Sequence, residues 1–213
     1  MPVTTRLARP EAALLAAYVA ALRRDWSPDN VRGLVTTREH LAAIAADSDA
    51  FLGSLHDPDA RGAPITLPDG STRPRLPGYV RWIIDDTGNF CGSIGFRWRP
   101  GGSTLPDWVP GHIGYAVVPW QRRRGHATRA LALMLEEARD LGLAHVDLTA
   151  EADNLPSHAV IIANGGTVVD RFNKPETIGG AETLRFRIML KASAPRQSAQ
   201  KISIQSHNHL VTL

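Results

Sequence analysis

The amino-acid sequence predicts an α/β chain of the α+β kind, with a mixed central β-sheet of about six to seven strands flanked by about four helices. Three observations carry that expectation. Apolar runs with strand character alternate with runs of helical period, and some neighbouring strands are close enough to form hairpins, which points to a mixed rather than wholly parallel sheet. The stretch Gly125 to Leu141 has apolar residues at three- and four-residue spacing and stands between two short apolar strands. Of the 213 residues, 43% are hydrophobic and 21% charged, which is enough apolar material for one generous core and excludes disorder as the whole account.

Thr4 to Leu7 reads as a short strand, and Pro10 opens a helix over Glu11 to Arg24 with Leu14, Leu15, Tyr18, Val19 and Leu22 on its apolar side. Ser27 to Asn30 breaks the chain, and Thr37 is the expected N-cap of a second helix over Arg38 to Ala46. Gly53 to Gly78 is rich in Pro, Gly and Asp and reads as a long loop. Tyr79 to Asp85 and Phe90 to Trp98 form a hairpin about Asp86 to Asn89, and Ile113 to Val118 is a third strand stopped by Pro119. Ala127, Ala130, Leu131, Met134, Ala138 and Leu141 form the stripe of the clearest helix, ended by Gly142. His145 to Ala150, a helix over Leu155 to Ala163, and strands at Thr167 to Phe172 and Thr183 to Leu190 complete a single domain over 1–191. The segment 192–213 reads as a poorly ordered tail.

Composition narrows the function classes. The single cysteine, Cys91, excludes an intramolecular disulfide and a cysteine-rich metal centre, and reads as a small buried apolar group; no metal is expected. Ala12 to Leu22 is about half the roughly 20 apolar residues of a membrane span. With no convincing signal peptide, a cytoplasmic protein without membrane contact is the expectation. The net charge of +3 is too small to imply a nucleic-acid partner. The basic residues are nonetheless unevenly placed: three of the 21 arginines are consecutive, at Arg122, Arg123 and Arg124.

Those arginines precede Gly125, His126, Ala127 and Thr128 at the start of the long helix. A turn entering a helix leaves several backbone N–H groups without partners, and the helix dipole favours negative charge there. Gly125 and Ala127 keep bulk away, and arginine adds charge and paired donors for phosphate oxygens. The spacing fits neither a P-loop nor a dinucleotide fingerprint.

Arg122-x-x-Gly125-x-Ala127, preceded by Gly114-Tyr115-Ala116-Val117-Val118-Pro119, resembles the pyrophosphate-binding motif of the GCN5-related N-acetyltransferases (GNAT). Asn154-x-x-Ser157, followed by Asn164-Gly165-Gly166, resembles that family's second acyl-CoA segment. The resemblance covers roughly Thr4 to Lys191 and implies acetyl-CoA as donor and an amine-bearing acceptor, either a small molecule or a protein amino group. It implies backbone pairing of the pantetheine arm with Val117 and with Tyr115 or Val118. Arg123 to Thr128 would supply N–H groups to the pyrophosphate, Arg122 and Arg124 would add charge, and Asn154 and Ser157 would sit near the thiol end. Many members carry a tyrosine seven residues after the asparagine as acid for the leaving thiolate; here that position is Ile161, so the alternatives are Ser157, a water, or a thiolate that leaves without help. The candidates for general base are His112, which opens the strand before the motif, and Glu151 or Asp153 after the next strand. A non-catalytic acyl-CoA-binding module is the rival reading, and a homodimer is left open.

Overall fold

The computed structural model describes residues 4–67, 70–176 and 180–190; the expected tail lies outside them. The chain runs β1 (Thr5–Ala8), α1 (Ala12–Leu22), α2 (Leu34–Ala46), α3 (Ser48–Ser54), β2 (His56–Asp57), β3 (Ile65–Thr66), β4 (Thr72–Arg73), β5 (Gly78–Asp85), β6 (Phe90–Arg97) and β7 (Ile113–Val117). It continues as α4 (His126–Asp140), β8 (His145–Glu151), α5 (Leu155–Ala163), β9 (Thr167–Asn173) and β10 (Glu182–Met189).

The α/β class holds, but the strands do not form one continuous ladder. One sheet has the order β1-β5-β6-β7, with β2 also against β5; a second has the order β8-β10-β9; β3 and β4 form a separate hairpin. Each of these pairings is antiparallel. The sheets meet where β7 and β8 come together through the strand–helix–strand unit β7-α4-β8, and no ladder joins those two strands.

Two apolar layers fix this arrangement. On one face of the first sheet, Ile83, Cys91, Ile94, Phe96 and Ile113 pack with Ala130, Leu131, Met134, Leu135 and Ala138 of α4 and with Val146, Leu148, Phe186 and Ile188 of the second sheet. On the other face, Trp82, Ile84, Ala116 and Val118 pack with Tyr18, Leu22, Trp26 and Phe51. Tyr18 stacks on Trp82 at 4.8 Å between ring centroids, and its hydroxyl lies 2.7 Å from His40 Nδ1. Alternation along β6 and β7 is what divides these side chains between the two layers.

Three expectations need correction. Thr37 is not an N-cap: α2 begins at Leu34, and the buried Thr37 hydroxyl donates to Trp26 O at 3.0 Å, tying α2 to the end of the α1 segment. The stretch from Gly53 is not a structureless loop. It opens inside α3, whose N-cap Asp47 accepts from the Asp49 and Ala50 amides, and continues through β2, β3 and β4. Leu141 is 46% exposed at the α4 C-cap, and Leu135 takes its place in the core. Among the described residues, no helix is long and apolar enough to cross a membrane.

Candidate anion-binding turn and the gap between the sheets

The junction from β7 to α4 is built by backbone conformation. After Val117 the chain makes a single 3-10 turn at Pro119–Gln121. Arg123 then takes φ 63, and Gly125, the N-cap of α4, takes φ 78. These two left-handed residues fold the chain so that its amides converge before the helix begins. The first helical closure is Arg129 N–H to Gly125 O at 3.1 Å. From Arg123 to Thr128, the backbone N–H groups have no acceptor among the described residues. Such a concave run of amides at the positive end of a helix dipole binds anions.

The turn is propped from below. A Cβ at Gly125 would stand 2.7 Å from Arg129 Nη1, so the missing side chain makes room for that guanidinium. Arg129 Nε donates to Thr5 Oγ1 at 3.0 Å, and its Nη2 donates to Arg124 O. Thr5 Oγ1 also lies 3.0 Å from His126 Nδ1. His126 is buried, and burial, followed by the Arg129 charge, lowers its pKa. Arg122, Arg123 and Arg124 are all exposed. Arg122 Nε donates to Val117 O at 3.2 Å and Arg124 Nη1 to Gln121 Oε1 at 2.9 Å, while Arg123 has no side-chain partner among the described residues.

The free edge of β7 leads from this turn into the gap. Val118 N–H donates to Cys91 O and Arg97 N–H to His112 O, so even-numbered residues of this segment exchange bonds with β6. The N–H and C=O groups of Tyr115 and Val117 therefore face away from β6, toward the opening. Two side chains confirm the direction: Asn30 Nδ2 donates to Tyr115 O at 3.0 Å, and Arg122 donates to Val117 O. Val118 faces the other way, and its carbonyl accepts from Gln121, so neither of its backbone groups is open to a ligand. A bulge at Cys91 bends β6 here. Gly92 lies at φ 150, where a Cβ would stand 2.2 Å from Ala116 O.

His112 closes the far end of the gap. Its backbone N–H donates to Asp147 O at 2.7 Å, and its Nδ1 accepts from Asp147 N–H at 2.9 Å. The ring is fully buried, and burial lowers its pKa to about 4. With Nδ1 engaged as acceptor, the ring proton resides on Nε2, which is buried without a partner among the described residues. His112 thus joins β7 to β8 and offers no lone pair to a substrate. This geometry runs against its expected role as base.

Glu151 ends β8, and its Oε1 accepts from Lys174 Nζ at 2.7 Å. Asn154 caps α5, its Oδ1 accepting from Ser157 N–H at 3.2 Å. The Tyr115 hydroxyl donates to Ser157 O at 3.4 Å, and burial pushes the phenol up to about 12. Ile161 is only 1% exposed and belongs to the core. The structure therefore places Tyr115, Val117, Arg122 to Thr128, Asn154 and Ser157 along the β7 edge and the two helix N-termini beside it. The sequence reading missed Asn30, Arg129 and Thr5. Their contacts join positions 85, 124 and 121 residues apart in sequence, which no local pattern signals.

Comparison with known proteins gives an independent view. A family profile described as an acetyltransferase (GNAT) domain matches residues 30–167. No curated protein matches the chain. Similar solved structures include a ribosomal L7/L12 α-N-protein acetyltransferase in complex with coenzyme A, at TM-score 0.56 and 16% identity over 89% of this chain and 96% of that one. A GNAT-family acetyltransferase from Bordetella pertussis has TM-score 0.52 and 18% identity over 88% and 99%. An acetyltransferase from Salmonella typhimurium, solved with acetyl-CoA, has TM-score 0.51 and 17% identity over 93% and 99%. At these identities the solved structures support the fold.

Proposed function

Because the chain belongs to the acetyltransferase (GNAT) domain family, we propose that it transfers an acetyl group from acetyl-CoA to an amine, with donor and acceptor held together on one protein. The observation that carries this reading is the run of unpartnered amides from Arg123 to Thr128, opened by Gly125 and rimmed by three exposed arginines. The fit to a pyrophosphate is chemical: converging N–H donors, a helix N-terminus, no Cβ at Gly125 and fixed positive charge.

Acetyl-CoA supplies a thioester carbonyl carbon as electrophile and a thiolate as leaving group. The β7 edge aligns the donor: Tyr115 and Val117 exchange their present bonds to Asn30 and Arg122 for bonds to the extended arm. The Val117 amide is assigned as a donor to the carbonyl oxygen on which charge develops, a contribution that grows toward the transition state. A bond forms between the amine nitrogen and the acetyl carbon, and the C–S bond breaks. The amine proton passes to Glu151, whose Oε2 has no partner among the described residues while Lys174 holds Oε1. The thiolate takes its proton from solvent, since Ile161 offers none and a thiol pKa near 8.5 makes it a fair leaving group. Asn154 and Ser157 hold the α5 N-terminus beside the thiol end.

Buried Ile161 also favours one second reading, a domain that binds acyl-CoA without turning it over. Thiol release from acetyl-CoA with a panel of amines separates the two. The proposal expects amine-dependent release that Gly125→Glu brings to background, because the added side chain displaces the Arg129 guanidinium that props the turn and its charge opposes an anion there. Tight binding of acetyl-CoA with no release for any amine supports the second reading. Unchanged activity in Gly125→Glu contradicts the site itself.

A further inference from the structure

The α1–α2 side of the first sheet holds a charged trough that no step above uses. Arg97 ends β6 opposite His112, and two residues inward Gly95 pairs directly with Gly114 of β7. Residues two apart on a strand, and residues directly opposed across a ladder, share a face. Arg97, Gly95 and Gly114 therefore lie together on the face opposite Phe96 and Ile113. A Cβ added at Gly114 would meet nothing within 4 Å, and one at Gly95 nothing nearer than 3.9 Å. The sheet is bare backbone at both glycines: the space above Gly114 is open, and the Val80 side chain, paired with Gly95 across β5–β6, forms the wall beside Gly95. Farther along the same face, Ser93 and Ala116 are buried, which closes that end. Before the donor binds, Asn30 reaches over the β7 edge to Tyr115 O, which places the α1–α2 loop beside the trough.

Arg97 stands at the open end. It is exposed, and its guanidinium makes no hydrogen bond or ion pair with the described residues. Protein nonetheless surrounds it closely enough that lost hydration lowers its pKa, which is how a charge in a concavity behaves. The carboxylate it feels is Asp29, and that group is committed elsewhere: Oδ1 accepts from the Val31 and Arg32 amides, and Oδ2 from the Thr36 hydroxyl at 3.3 Å. A planar guanidinium with free donors at the mouth of a bare trough matches the fork geometry of a carboxylate. The trough adjoins Tyr115, whose backbone lines the proposed donor site.

We propose that this trough is the acceptor subsite and that it takes a small amine that also carries a carboxylate, held through Arg97; the assignment rests on the acetyl-transfer reading above. The glycine pair leaves room for the acceptor's body, and Arg97 anchors its acid while the amine points to the β7 edge.

The test uses glycine, γ-aminobutyrate and leucine, each beside its carboxamide, with the full chain, Arg97→Gln and Gly114→Val. Acetyl-CoA binding is measured first by calorimetry, and is expected to be the same in all three chains; its absence in the unaltered chain would overturn the acetyl-transfer reading rather than the subsite alone. Thiol release is then measured for each amine, and saturation-transfer NMR reports amine binding in the presence of CoA. The expected result is a preference for at least one amino-carboxylate over its carboxamide of more than about tenfold in kcat/KM or in binding, the scale of a charge-assisted hydrogen bond. Arg97→Gln removes that preference by raising KM, and Gly114→Val weakens carboxylate and carboxamide alike. Equal use of carboxylates and carboxamides, a preference that survives Arg97→Gln, or neither turnover nor binding of any panel amine would each overturn the proposal.

Discussion

Gly125 answers to two constraints at once, a left-handed φ of 78 and the Arg129 guanidinium where its side chain would be. Replacing it with alanine forces a Cβ into the left-handed region, at about 1 kcal/mol, and pushes Arg129 off Thr5 and the Arg124 carbonyl. We expect Gly125→Ala to lower the free energy of unfolding by about 1–2 kcal/mol in urea denaturation and to weaken acetyl-CoA binding in parallel. A variant as stable as the parent chain would contradict the account of this turn. The glycine itself was legible in the sequence, since a small residue at a helix start beside arginines is a local signal. Arg129 was not, because its partner Thr5 lies 124 positions away and only the fold brings them together. His112 shows the same limit. Its position before the motif suggested a base, whereas burial and the Asp147 amide give it a structural task.

At the scale of elements, the β7–β8 junction depends on that histidine and therefore on pH. In the folded chain burial holds the His112 pKa near 4, while an unfolded histidine takes its proton near pH 6.5. The neutral ring's contribution is complete above about pH 6.5 and is lost as pH falls from there toward 4. Burial lowers the pKa of His126 and His145 in the same direction, so their contributions also weaken on acidification. His112→Asn keeps an acceptor for the Asp147 amide and removes the titration. Its stability should fall less than the parent's between pH 6.5 and 4 in urea denaturation at stepped pH; identical slopes would show that His112 is not titrating as described. Element type followed the sequence where periodicity was strong, as in α4 and the β5–β6 hairpin. It failed at α3, a seven-residue helix too short to establish a period. The cue present there was Asp47, a capping residue with two amides to satisfy. The Thr37 reading failed for the converse reason: a good capping residue was used by tertiary structure.

At the scale of the whole molecule, two apolar layers grip the opposite faces of one sheet, while the β6 ladder engages β7 by its even-numbered residues and leaves the backbone groups of Tyr115 and Val117 turned toward the other edge. The sequence supplied the strands and the helix but not the parting of the sheets, because a missing ladder is a relation between distant segments. The +3 net charge said little by itself, whereas the placing of three consecutive arginines at a helix start was already legible in the sequence. The central claim is that the amides from Arg123 to Thr128 receive the pyrophosphate of acetyl-CoA. It is tested most directly by following backbone amide resonances while CoA is titrated into the unaltered chain. The account predicts that the amides of Arg123 to Thr128 shift most, together with those of Tyr115 and Val117. Saturating CoA that leaves the Arg123 to Thr128 amides unmoved, or that shifts a different part of the molecule, would contradict it.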